Sequence, residues 1–165
     1  MRVLNSHNRI INQPIVKVSE LFKTLATPDD KIWPIKTWPA MRFKQGLKIG
    51  SKGGHGRIRY TIIEFEPGNQ IKFEFTKPHG FNGTHELEIE AISENVTEIH
   101  HVIKMNTSFK ASLFWIIIIR WLHDALIEDA FDTVENYFSE EKKETKYTTW
   151  VMFLRGYYKR KAIKN

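Results

Sequence analysis

Apolar residues recur every second position through the middle of the chain. The runs are Met41–Leu47, Gly56–Phe65, Gln70–Thr76, Thr84–Ile92 and Thr97–Met105, and each is a predicted strand. Turn signals separate them: Gly50–Gly56, Glu66-Pro67-Gly68-Asn69, Lys77-Pro78-His79-Gly80 and Ser93-Glu94-Asn95. The gaps are short, so neighbouring runs pair antiparallel as a meander. Ile71, Phe73 and Phe75 face one way, with Lys72 and Glu74 opposite. His85, Leu87 and Ile89 face one way, with Glu86, Glu88 and Glu90 opposite. Such a sheet has one dry face and one wet face.

The ends of the chain follow a different period. A strand is predicted over Ser6–Gln13, then a short helix from the spacing of Val18, Leu21, Phe22 and Leu25. Trp33-Pro34 and Trp38-Pro39 disfavour helix and read as an ordered loop. One long helix is predicted over Ser112–Phe138. At 100° per residue Phe114, Ile118, Trp121, Leu122 and Ala125 share its apolar face. Arg120, Asp124 and Glu128 form a neighbouring row, read as a solvated salt-bridge stripe. The first turns are apolar nearly all round, so something must cover the back of this helix. Trp150, Phe153, Leu154, Tyr157 and Tyr158 repeat at helical spacing and supply a candidate cover. The fold class is therefore α+β, with a curved antiparallel sheet wrapped around a long C-terminal helix. A gap between them would be an apolar pocket.

Several segments in this order resemble a known family. They are Pro14 with Val18-Ser19-Glu20-Leu21-Phe22, the Trp33/Trp38 segment and Gly54-His55-Gly56-Arg57 leading to Arg59-Tyr60-Thr61. Further on come Glu66-Pro67-Gly68, Thr97-Glu98-Ile99-His100-His101, and Trp121-Leu122-His123-Asp124-Ala125-Leu126-Ile127-Glu128-Asp129. Together they resemble the START-like, polyketide cyclase-type (SRPBCC) superfamily with the helix-grip fold, over about residues 5–138. The resemblance implies a cavity for a lipophilic ligand between helix and sheet. Members include carriers of lipids and quinones, plant hormone binders and aromatase/cyclases. Their catalytic residues differ, so none is carried over.

Composition narrows the chemistry. A chain of 165 residues is one domain's worth, and 41% hydrophobic with 27% charged residues is the balance of a folded protein. There is no cysteine, which excludes thiol nucleophiles, zinc ribbons, iron–sulfur clusters and disulfides. The N-terminus lacks the apolar core of a signal peptide, and the longest apolar run is Leu113–Ile119. A cytoplasmic location is expected. The formal charge of +6 is unevenly placed. Lys142–Asn165 holds eight basic residues and one acid, whereas the first 141 residues hold 17 basic and 18 acidic side chains. The expected division is a helix-grip domain over 1–141 and a basic extension over 142–165.

Candidate site residues follow from the dry face. Tyr60, Phe73, Phe75, His85, Leu87, His101 and Ile103 are expected to line the pocket from the sheet. Ile118, Trp121, Leu122, Ala125 and Asp129 are expected to line it from the helix. His85, His101 and Asp129 are the catalytic candidates, as general acid or base or as polar handles on a ligand. Pairing within the core is the more economical reading of both histidines. Asp129 either meets a cavity partner or sits in water at the mouth. No HExxH or paired histidine spacing occurs, so no metal and no cofactor is expected. The Gly50–Gly56 loop leads into a strand and not into a helix, unlike a phosphate-binding loop.

Three functions stand. The first is binding or transport of a small lipophilic ligand without catalysis, which is preferred. The second is a cyclase or dehydratase using the same cavity. The third is docking on a membrane surface or polyanion through Lys142–Asn165, with no specific nucleic-acid partner.

Overall fold

The computed structural model describes residues 1–163, with side chains through residue 160. The chain runs β1 (Arg2–Ile11), α1 (Ile15–Phe22), β2 (Arg42–Phe43), β3 (Lys52–His55), β4 (Ile58–Glu66), β5 (Gln70–Lys77), β6 (Phe81–Ser93) and β7 (Val96–Thr107). Helix α2 (Phe109–Phe114), a π turn (Trp115–Ile119) and α3 (Arg120–Phe138) follow without a break, and α4 (Thr149–Ile163) ends it. The seven strands form one antiparallel sheet in the order β1-β7-β6-β5-β4-β3-β2. Curvature needs close backbone approach, and glycine allows it. At Gly83 (φ +157) a Cβ would lie 2.2 Å from the Lys104 carbonyl oxygen. The fold is the expected helix grip.

Two differences from the sequence pattern matter for the site. β1 starts at Arg2, four residues before the predicted strand, and pairs with β7 along its whole length. Its half-buried polar positions Asn5, His7 and Arg9 break the apolar alternation because they answer polar groups on α3. Asn5 and His7 bond Asp124, His7 and Arg9 bond Glu128, and Arg9 also bonds Asp132 and Glu135. The row predicted as a solvated stripe is therefore the row that docks α3 onto β1.

The second difference is the π turn. Its i→i+5 bonding adds a residue to one turn, so a face projected at 100° per residue slips. Ala111, Trp115, Ile119, His123, Ile127 and Phe131 run along the inner side. Phe114, Ile118, Trp121, Leu122 and Ala125, the predicted inner face, do not belong to either apolar cluster. Trp121 is exposed, with its indole N–H donating to the Ile116 carbonyl. Ile118, Leu122 and Ala125 share a helical row with Asp129, whose partners are Trp38 and, in the C-terminal segment, Tyr147 and Arg155.

Helix α4 packs against α3. Among its residues through 160, Val151 and Leu154 are buried while Trp150, Phe153 and Tyr157 are exposed, so its inward face is rotated from the predicted one. No helix among the described residues is long and apolar enough to cross a membrane.

Candidate functional site

The apolar core falls into two parts. One gathers α1, the Trp33 loop, the β4–β5 side of the sheet and the far half of α3 around Phe22, Trp33, Ile62, Phe73 and Phe131. The other joins Val3, Phe81, Ile103, Met105, Ala111 and Trp115. Between them runs a connected row of polar rings. His55 lies 6.0 Å from Tyr60, Tyr60 4.7 Å from His85, His85 5.7 Å from His101, and His101 4.9 Å from His123. His7 continues the row 5.8 Å beyond His123. Aromatic rings wall it in. Phe73 and Phe75 stack on His85 at 4.5 and 4.9 Å, and Trp115 stands 6.0 Å from His123.

Alternation along β6 and β7 turns His85 and His101 inward, and they are 6% and 4% exposed. Tyr60, Phe73, Leu87 and Ile103 are buried with them. Their polar atoms lack partners. Tyr60 Oη, His85 Nε2, His101 Nδ1 and His123 Nε2 are all buried and make no hydrogen bond among the described residues. The economical expectation that the histidines are paired in the core is not met at these nitrogens. Burial holds the imidazoles of His85 and His101 well below their ordinary pKa. His55 is pushed down to about 3 by the same desolvation. His123 is lowered by burial, although Asp124 opposes this in part. Burial raises the Tyr60 phenol. All four imidazoles are therefore neutral at pH 7, each with one donor and one acceptor nitrogen.

At the end of the row the electrostatics reverse. Burial alone would lower the pKa of His7, but Asp124 and Glu128, bonded to its two ring nitrogens at 3.1 and 2.9 Å, raise it. Asp124 is held below the ordinary carboxylate range, because bonds from His123 and His7 outweigh its burial. His7, His123 and Asp124 also have ligand-type atoms within 4.8 Å of one another. Mutual hydrogen bonding accounts for that spacing.

Asp129 lies outside this row, contrary to its assignment as a cavity residue. Its Oδ2 accepts the Trp38 indole N–H at 2.6 Å and the Tyr147 hydroxyl, and Arg155 lies 3.7 Å away. The sequence reading missed His55, placed in a loop, and His123 and Trp115, hidden by the π turn. The sole sequence signal for His123 was its place in the Trp121–Asp129 segment.

A separate apolar cleft of about 210 Å³ opens beside the sheet, lined by Phe22, Leu25, Phe43, Leu47, Phe65 and Pro67 among others. Phe43 forms its inner wall and stacks on Phe73 at 5.7 Å, which in turn stacks on His85. Phe43 also lies 5.7 Å from the Tyr60 ring, so this one ring stands between the cleft and the polar row.

Neither a family model nor a curated protein matches the chain. Solved structures do resemble it. Norcoclaurine synthase from Thalictrum flavum, in complex with dopamine and hydroxybenzaldehyde, superposes with a TM-score of 0.63 at 9% identity, covering 87% of this chain and 90% of that one. CalU16 from Micromonospora echinospora gives 0.56 at 12% identity over 99% and 96%. A protein from Nitrosospira multiformis gives 0.63 at 10% identity over 84% and 97%. At these identities the likeness is one of fold.

Proposed function

We propose that the protein binds a small, mostly apolar molecule bearing a hydroxyl or carbonyl group in the interior between the sheet and α3. The observation that carries this reading is the set of four buried, unpartnered atoms Tyr60 Oη, His85 Nε2, His101 Nδ1 and His123 Nε2 on one aromatic-walled row. Leaving such an atom unpaired costs about 1–3 kcal/mol, which a purely structural core avoids. A ligand hydroxyl or carbonyl removes that penalty in the complex. Its apolar body adds about 25 cal/mol per Å² buried. Neutral imidazoles suit an uncharged ligand. Access runs through the cleft once the Phe43 ring turns aside. Hydroxybenzaldehyde, held by norcoclaurine synthase on the same fold, is a small uncharged aromatic with a hydroxyl and a carbonyl and supports a ligand of this size and class.

The test is a thermal-shift and native mass-spectrometry panel of quinones, polyphenols and fatty acids on the wild type, Tyr60→Phe and His85→Phe. A binder at about a hundredfold its Kd should stabilise the wild type by about 2.7 kcal/mol. Each variant should keep or gain stability without ligand and bind roughly tenfold more weakly. No binder in the panel, or equal binding by both variants, would overturn the reading.

A second reading, a cyclase or dehydratase, draws support from the same buried histidines, whose neutral rings each carry one donor and one acceptor nitrogen on the aromatic-walled row. His85 and His101 then act as general acid and base, while Asp129 is occupied elsewhere. Turnover of an identified substrate should fall at least a hundredfold in His85→Ala or His101→Ala, on the usual scale of general acid–base catalysis. Unchanged turnover in both ends this reading.

A further inference from the structure

We infer that the outer face of the π turn, together with α4, docks on an anionic phospholipid bilayer. The face is built from two segments. Leu113, Ile116, Ile117 and Trp121 point outward from the long helix, and Trp150 and Phe153 stand beside them on α4. The Trp150 indole N–H donates to the Ile117 carbonyl at 2.9 Å, and Phe153 stacks on Trp150 at 5.4 Å. The Trp121 indole donates to the neighbouring Ile116 carbonyl at 3.0 Å. Both indoles are thereby held against the π turn, and the six side chains form one continuous surface. Ile116 is 48% exposed, Ile117 50% and Phe153 57%. A contiguous apolar patch of this kind marks an interaction site, unlike the singly exposed Leu4, Val16 and Ile49.

Charge identifies the occupant. Residues 108–123 contain Lys110 and Arg120 and no carboxylate. Residues 145–160 contain Lys146, Arg155, Lys159 and Arg160 and again no carboxylate. Arg155 turns inward to Asp129, and the others are exposed. Ile, Phe and Trp with Lys and Arg beside them and no acids is the composition of a helix face lying in a lipid interface. Indoles favour headgroup depth, and each exposed cation is attracted to anionic lipid. A second copy of this chain fits less well. A two-fold contact would press each basic face against its equal, with only Asp124, 3.6 Å from Arg120, to offset it. The apolar surface belongs to the folded pair of helices, so the contact is wider than the basic extension alone. Trp115, on the reverse side of the same turn, touches the interior through Phe81 and His123. The docking face stands regardless of what that interior holds.

The test is cosedimentation of the full chain with vesicles of phosphatidylcholine alone and of phosphatidylcholine mixed with phosphatidylserine. Binding is expected to the mixed vesicles and not to the neutral ones. Ile116→Glu and Phe153→Glu should keep the wild-type circular dichroism and melting temperature and lose roughly tenfold or more of the partitioning. Lys159→Glu with Arg160→Glu should weaken it as well and serves where a helix variant fails to fold. The inference is overturned if the mixed vesicles bring down no protein, or if both glutamate variants bind as the wild type does. It is likewise overturned if sedimentation shows a dimer that Ile116→Glu dissolves.

Discussion

Desolvation of four imidazoles makes the fold sensitive to acid. His55, His85, His101 and His123 all have folded pKa values below their ordinary 6.5. Below pH 6.5 the unfolded chain takes up protons that the folded one refuses. Their contribution is therefore complete above that value and is lost as pH falls toward the folded pKa, about 3 for His55. Each imidazole kept neutral removes about 1.4 kcal/mol per pH unit in that window. His7 runs the other way. Its folded pKa is raised, so its contribution is present below the unfolded value and disappears as pH rises through the folded one. Four groups outweigh one, and Asp124 adds its own loss only below its ordinary 3.8. Urea midpoints should fall steeply between about pH 6.5 and about pH 4.5, with a shallower slope in His85→Phe. A flat profile would mean that the imidazoles take up protons in the folded state. Two of the four were legible in the sequence, because strand alternation alone turns His85 and His101 inward. The other two were not. His55 ends a glycine-rich segment with no period to read, and His123 is aimed by the π turn.

Elements were legible where one side chain in two meets the same kind of environment. β5 and β6 satisfy that condition and appear close to their predicted bounds. β1 does not, because its inner face carries Val3, Asn5, His7, Arg9 and Ile11, and the polar three are matched by carboxylates more than a hundred residues away. Local pattern contains no record of such a partner. Likewise nothing in Leu113–Ile119 distinguishes a π turn from an α turn, since every residue in the run is apolar. The β1–α3 contact makes a specific demand of Arg9. Its guanidinium holds Glu128, Asp132 and Glu135 together at 2.7 to 2.9 Å, and those three carboxylates lie on one side of α3. Arg9→Met keeps an apolar stem and removes the guanidinium, which separates the carboxylates and lies 5.8 Å over the Phe131 ring. We expect a loss of about 2 kcal/mol, below the value for fully buried pairs because the Arg9 side chain is 22% exposed. Chemical denaturation at low and high salt checks this. A genuine charge effect shrinks as salt rises, whereas a packing effect does not.

Over the whole molecule, Asp129 is the point where distant segments meet. The Trp38 loop, α3 and the C-terminal segment converge there. The guanidinium of Arg155 lies 4.2 Å over the Trp38 ring and 4.3 Å over Tyr147. The carboxylate accepts from both rings. Burial, then the bond to Asp129, pushes the Tyr147 phenol up to about 12. Composition divides the chain near residue 141, but this cluster binds the basic extension to the body, so charge and packing draw different boundaries. Asp129→Ala strips an indole N–H and a phenol of their shared acceptor, and a guanidinium of its counter-charge, in one step. The cost should be about 2–4 kcal/mol. Its signature should be local: α4 loosens first, and trypsin cuts sooner at Lys142, Lys143 and Lys146, which lie in the connector before it. Asp129→Asn retains an acceptor and should sit between the two. If melting and cleavage of Asp129→Ala both match the wild type, then Val151, Leu154 and the Trp150–Ile117 bond hold α4 against the long helix without this cluster.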